Sequence, residues 1–267
     1  MKRQPTHGVF VISVDVAGDS TARGGSNSSA AATDTAATLE ATKWLLRLLD
    51  QYRLPATWFF AGPGTSVVRS RVNSAEMHHE VGLLLVDGGP DYRGRFEFAR
   101  NLQRRLLAAR ASGIDVCSLA MQTSRRIDHL DLLVKHGIRA VRPAVFSSVR
   151  NAGPYGWASV STLRFGVSSL PATLHAVDAP RWHRWIKAWE ARRQIAAAAR
   201  RRQYCHLTLD IHDLANSGAR EVLRQTIRAA ARLAQMEGMQ ADTVSSVAAS
   251  LMARPSAPAA QSILRAA

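Results

Sequence analysis

Six side chains of this 267-residue sequence are of types, and stand at places, that can do chemistry. Asp15 follows the apolar run Val9 to Val14, and Arg142 follows a second run, Ile138 to Val141. Asp87 comes directly after Val81 to Val86, while His206, Asp210 and His212 lie on or just beyond Tyr204 to Leu209. Carboxylates can take protons or hold a cation, and an imidazole titrates near neutral pH, so the set contains both bases and acids. Asp15, Asp87, His206, Asp210 and His212 could also rebuild a metal site on one rim, because zinc needs three protein ligands plus water. Each residue has a plainer reading too. A lone Asp at a strand end is commonly a turn or helix cap, an arginine there is commonly solvated, and a histidine is commonly a satisfied core or surface group.

Whether these residues meet depends on the elements that carry them. Short apolar runs alternate with helical patterns along the chain, the signature of βα units around a mainly parallel sheet. Strands are predicted at 9–14, 56–60, 81–86, 116–121, 138–141, 172–177 and 204–209. Val81 to Val86 is apolar at consecutive positions, as expected of a strand covered on both faces. Helices are predicted through Ala41, Trp44, Leu45, Leu48 and Leu49, through Phe98, Leu102, Leu106 and Ala109, and through Leu130, Leu133 and Val134. A last long helix runs on Leu223, Ile227, Ala230 and Ala234, with Gly113, Gly137 and Gly238 as stops for three of the four. About seven strands with intervening helices predict one incomplete α/β barrel over residues 1–253, with chemistry at the C-terminal ends of the strands. Residues 17–37, rich in Gly, Ser, Ala and Thr, read as a mobile loop, and residues 254–267 as a disordered tail.

Several stretches, in order along the chain, resemble the polysaccharide deacetylase (NodB-homology) family. Gly8 to Asp15 is similar to its opening strand, and Leu54-Pro55-Ala56-Thr57-Trp58-Phe59-Phe60 to its second. His129 to Arg139 followed by Arg142-Pro143 is similar to its Arg-Pro motif. Cys205 to Leu214 resembles a closing segment rich in histidine, and Met236 to Val244 a terminal helix junction. His79-Glu80-Val81-Gly82-Leu83-Leu84-Leu85-Val86-Asp87-Gly88 resembles its metal motif, with Leu84 and Gly88 where the family has two metal-binding histidines.

The resemblance implies a deformed (β/α)7 barrel and hydrolysis of sugar acetyl groups by a water activated on a divalent metal such as zinc. It makes Asp15 the base, Arg142 the residue that orients it and His212 the acid that protonates the leaving group. Asp87, His206 and Asp210 become candidate substrate contacts. His78 and His79 precede their strand and belong at the opposite end of the barrel. Neither Leu84 nor Gly88 can donate a lone pair to a metal. The expectation is therefore a protein without a metal or other cofactor, its deacetylation lost or weakened, that keeps a sugar-binding or supporting role. Two alternatives stand beside it: an active carbohydrate deacetylase with an unconventional site, and a basic binding protein for nucleic acid or another anionic polymer.

Net charge is +15 and the sequence pI about 11.2, which fits either arginine-rich exposed helices or an acidic partner. Arg220, Arg224, Arg228 and Arg232 recur at i, i+4 and read first as a solvated face. Trp182, Trp185 and Trp189 share one helix face, expected to pack on the barrel wall rather than to form a glycan platform or a membrane-surface helix. Cys117 and Cys205 lack zinc-ribbon or redox spacing and are expected to be buried free thiols. No apolar run approaches the ~20 residues of a membrane helix, and the apolar start is too short for a signal-peptide core, so a cytoplasmic protein is expected.

Overall fold

The computed structural model describes residues 7–17, 28–62, 65–86, 94–122, 129–144, 160–175, 184–236 and 238–253. The strands are β1 (Gly8–Val16), β2 (Thr57–Phe60), β3 (Glu80–Leu85), β4 (Ser118–Met121), β5 (Ala140–Arg142), β6 (Ser161–Thr162), β7 (Ser168–Ser169), β8 (Leu174–His175), β9 (Tyr204–Asp210) and β10 (Met239–Asp242). The helices are α1 (Ser28–Tyr52), α2 (Ser66–Asn73), α3 (Arg95–Arg110), α4 (Leu130–Lys135), α5 (Arg184–Arg201), α6 (Ser217–Gln235) and α7 (Val244–Met252).

The strands form one curled sheet in the order β6-β7-β5-β4-β3-β2-β1-β9-β8, with β10 added along the start of β1. All pairings are parallel except β6 with β7. The bent segment 168–175 links the two ends of the curl. Leu170 N donates to Val141 O on β5, and Thr173 N donates to His206 O on β9. Counting that segment as one stave, β1 to β5 and β9 complete seven, the deformed (β/α)7 barrel predicted from sequence.

Side-chain alternation sorts each strand into an outer and an inner face. Phe10, Ile12, Val14, Trp58, Phe60, Leu83, Leu85, Leu119, Val141, Cys205, Leu207 and Leu209 pack outward against Leu45, Leu49, Leu102, Leu106, Leu133, Leu223 and Ile227 of the helices. The lumen holds a second, smaller apolar cluster: Val11, Phe59, Leu84, Ala120, Ala140 and Leu170, closed by Val244, Val247 and Ala248 of α7. α7 plugs the end at which the strands begin. Thr57 Oγ1 accepts from Val244 N at 2.9 Å, and Glu80 Oε2 accepts from Ser245 N at 2.9 Å and from the Thr57 hydroxyl at 2.8 Å. A carboxylate against free N–H groups at a helix N-terminus is a favourable dipole arrangement. Thus the lumen is sealed at the bottom, and its chemistry is confined to the other end.

The structure corrects the sequence reading in places. α1 begins at Ser28, inside the stretch expected to be a loop. Its first turns are Ser-Ser-Ala-Ala-Ala, without Gly or Pro, and alanine's helix propensity outweighs the missing apolar stripe. Residues 18–27 and the tail 254–267 lie outside the described residues. α2, β10 and the short β6 and β7 carry too little periodicity to be read from sequence. Among the described residues no helix is long and apolar enough to cross a membrane. Both cysteines are free, Cys205 fully buried with its thiol pushed up to about 12 by burial, and Cys117 half-buried.

Candidate functional site at the barrel mouth

Asp15 and Arg142 end strands that are not neighbours, yet both point into the lumen and meet there. Arg142 Nη2 donates to Asp15 Oδ2 at 2.6 Å, and the arginine is 0% exposed. Its Nη1 donates to Ser13 Oγ at 3.2 Å and to Thr208 Oγ1. Its guanidinium carbon lies 5.3 Å from the centroid of the Phe59 ring, a cation–π arrangement. Gly82 allows that ring its place: a Cβ there would stand 2.5 Å from two Phe59 ring carbons and 2.7 Å from Ser118 Oγ.

The network continues downward. A guanidinium can only donate, so Ser13 Oγ accepts from it, and because the Leu170 carbonyl beside His206 Nδ1 can only accept, the Ser13 hydroxyl turns its hydrogen to His206 Nε2, 2.8 Å away. That places the ring proton of His206 on Nδ1, which faces the Leu170 carbonyl at 3.3 Å and the Tyr204 hydroxyl at 2.7 Å. Burial, then the Arg142 charge, lower His206 to about 3, so the ring is neutral. Tyr204, His206, Ser13, Arg142 and Asp15 form one continuous polar chain through the lumen. At its upper end Asp15 Oδ1 is buried and accepts no hydrogen bond among the described residues.

The other expected residues fall out differently. His206 was expected to touch substrate; it is fully buried and supports Ser13 instead. Asp210 pairs with Asp15 in register at the last position of β9. Its Oδ1 accepts from His212 N at 3.0 Å, capping the 3-10 turn Ile211–Ala215. Burial raises the Asp210 carboxyl, and the nearby Asp15 charge adds to the rise, against the lowering by His212. His212 is exposed at the rim, with Nδ1 3.3 Å from Thr38 Oγ1 and Nε2 3.2 Å from the Ala17 carbonyl. These contacts hold the ring across the end of β1. Asp87 and Gly88 lie outside the described residues.

Sequence reasoning missed Ser13, Thr208 and Phe59, and also His175. His175 ends β8 in register with Thr208. It lies close enough to Asp15, Arg142 and Asp210 to feel their charges, with burial the largest influence and a net lowering. The period-2 alternation held the signal for Ser13 and Thr208, which share a face with Asp15 and Asp210.

Leu84 occupies the motif position expected of a metal-binding histidine and is 0% exposed in the lumen cluster with Phe59 and Ala120. Arg105 Nη2 fixes its carbonyl from outside at 2.7 Å. His79 sits at the opposite end of β3, as expected, accepting from Ala56 N at 3.2 Å and lowered to about 4 chiefly by burial. Among the described residues no group of three or more His, Cys, Asp or Glu side chains is placed to hold a metal ion. A hydrocarbon side chain packed in apolar surroundings does not fit a zinc ligand position.

No family model matches the sequence, and no curated protein matches it. Solved structures do match. A Mycobacterium smegmatis protein assigned to the polysaccharide deacetylases has a TM-score of 0.71 at 17% identity, covering 95% of this chain and 94% of its own. Puue allantoinase has a TM-score of 0.70 at 10% identity, with 93% and 92% covered. A CE4-family pseudoenzyme from Bacillus anthracis has a TM-score of 0.53 at 12% identity, covering 91% of this chain and 66% of its own. A mutant of that pseudoenzyme has restored enzymatic activity. The fold of this chain is that of the polysaccharide deacetylases.

Proposed function

We propose that this chain is a divergent polysaccharide deacetylase-like protein that binds a sugar or glycan at the barrel mouth and has lost metal-dependent deacetylation. The observation that carries the proposal is the contrast at the mouth: a buried, hydrogen-bonded Asp15–Arg142 pair faces a wall where Leu84 fills a ligand position with hydrocarbon. Buried ion pairs are often replaceable by apolar residues at little or no cost in stability, so such a pair is weak evidence of a structural role. Its retention fits recognition. Asp15 Oδ1 is left without a partner among the described residues and can accept from a sugar hydroxyl, and Arg142 holds the carboxylate in place. Asp210, His175 and His212 ring the same opening with further donors and acceptors for hydroxyl groups.

In this reading Asp15 and Asp210 contact the sugar, while Arg142, Ser13, Thr208 and His206 are positioning residues. A binding assay with N-acetylglucosamine oligomers in the presence of a chelator tests it. The reading expects binding that Asp15→Asn weakens by about tenfold, the scale of one charge-assisted hydrogen bond. Chelator-sensitive acetate release by the wild type would overturn it.

A further inference from the structure

α5 turns two tryptophans to solvent. Trp185 is 68% exposed and Trp189 47% exposed, against the expectation that they pack on the barrel. The helix buries its other side instead, through Ala188, Ile195, Ala198 and Ala199. Trp185, Trp189 and Arg192 stand at i, i+4 and i+7, so they form one outward stripe. Arg193 lies over the Trp189 ring at 5.4 Å.

Beside this stripe runs a groove of about 310 Å³ between α5 and α6, lined by Arg192, Arg228 and Arg232 with Glu221 and Gln225. Both oxygens of Glu221 are taken, Oε1 by Gln225 at 2.9 Å and Oε2 by Arg224 at 2.7 Å. Arg220 and Arg224 are also engaged, over the Trp44 ring. The guanidinium groups of Arg192, Arg228 and Arg232 make no hydrogen bond or ion pair among the described residues. Three guanidinium groups therefore line one groove whose carboxylate is already paired elsewhere, in a chain of net charge +15. Such a groove complements an anion, and guanidinium forks match carboxylates in a bidentate manner.

The aromatic stripe narrows the choice of anion. Exposed indole faces stack on ring faces, such as the C–H face of a pyranose, and α5 starts at the end of the barrel where the strands end and the Asp15–Arg142 pair lies. We propose that α5 and α6 form a docking surface for an acidic glycan, whose rings stack on Trp185 and Trp189 while its carboxylates enter the groove of Arg192, Arg228 and Arg232. The choice of a glycan rests on the sugar-binding reading of the mouth; the charge and aromatic complementarity do not.

Calorimetry on the full chain tests this with three probes: oligogalacturonate, chitin oligosaccharide and oligo-dT. Oligogalacturonate should bind with an affinity that falls as salt rises. Trp185→Ala with Trp189→Ala, and separately Arg228→Glu with Arg232→Glu, should each weaken it by about tenfold or more. Both double variants should leave chitin oligosaccharide binding at the mouth unchanged. Oligogalacturonate affinity within about twofold of wild type in either variant would overturn the proposal. Tighter binding of oligo-dT, lost in the same variants, would overturn it in favour of single-stranded nucleic acid. If chitin oligosaccharide fails to bind while oligogalacturonate behaves as stated, the reading of the mouth falls and this one stands.

Discussion

The mouth of the barrel has two walls made of the same kind of short parallel strand. On one, β1, β5 and β9 turn Ser13, Asp15, Arg142, His206, Thr208 and Asp210 inward. On the other, β2, β3 and β4 turn Phe59, Gly82, Leu84 and Ala120 inward. The first wall links its polar groups in one chain from Tyr204 to Asp15, with Asp15 Oδ1 and Arg142 Nε left without partners among the described residues; the second extends the apolar floor sealed by α7. Drift that simply abandoned the site would be expected to simplify both walls. On the function proposed above, the β3 wall is where metal-ligand chemistry was given up and the Asp15 wall is where recognition was kept.

The polar wall is the more sensitive of the two. Arg142→Ala leaves Asp15 as a buried, unpaired charge and should destabilise the fold by about 3–5 kcal/mol, read from the midpoint of denaturant unfolding. Joint replacement by Asp15→Leu and Arg142→Met should cost clearly less, because both charges leave together. If the double variant is as unstable as Arg142→Ala, the pair is structural in origin and its retention says nothing about recognition.

Leu84→His probes the apolar wall. It puts an imidazole among Phe59 and Ala120 with no partner there, and should cost about 1–3 kcal/mol. One ligand does not make a zinc site, so added zinc should not restore that loss. Recovery of stability by stoichiometric zinc would show that other donors already converge on the β3 wall, and the contrast would fail.

Acid acts on both ends of the barrel. His206 is held at about 3 against an ordinary 6.5, so between those values the unfolded chain takes up a proton that the folded chain refuses. Stability is then complete above the unfolded value and falls as pH drops towards the folded one. His79, lowered to about 4, acts in the same direction from the other end of the barrel. His206→Gln should flatten this slope while leaving the contribution of His79, which denaturant midpoints measured across the range will show. The smallest effect belongs to Asp210. Its raised carboxyl favours the folded state only below the ordinary carboxylate range, and that contribution is lost as pH rises. Asp210→Asn keeps the cap on His212 N and should raise stability at neutral pH by about 0.5 kcal/mol or less, a gain that vanishes in acid.

Much of this arrangement is legible in the sequence, for definite reasons. Asp15 and Arg142 follow apolar runs, and barrel topology alone brings such strand ends to one rim. The emptied ligand position is visible because leucine has no lone pair to offer. The supporting network was harder to see, since Ser13 and Thr208 look like ordinary polar interruptions until period-2 alternation is applied to them. His206 misled because a histidine in a motif reads as a contact, whereas its place two residues below Thr208 puts it under the site. The tryptophans of α5 misled for a different reason. Periodicity shows that Trp185 and Trp189 share a face, but Ala188, Ile195 and Ala198 form an equally regular one, and small residues suit close approach to the sheet.

On the proposed function, the Asp15 wall binds a sugar without a metal. This is tested most directly by measuring the affinity of chelator-treated protein for N-acetylglucosamine oligomers before and after one equivalent of zinc is added. The account predicts binding in the chelated protein, unchanged by zinc and weakened by Asp15→Asn. Binding that appears only with stoichiometric zinc, accompanied by acetate release, would contradict it.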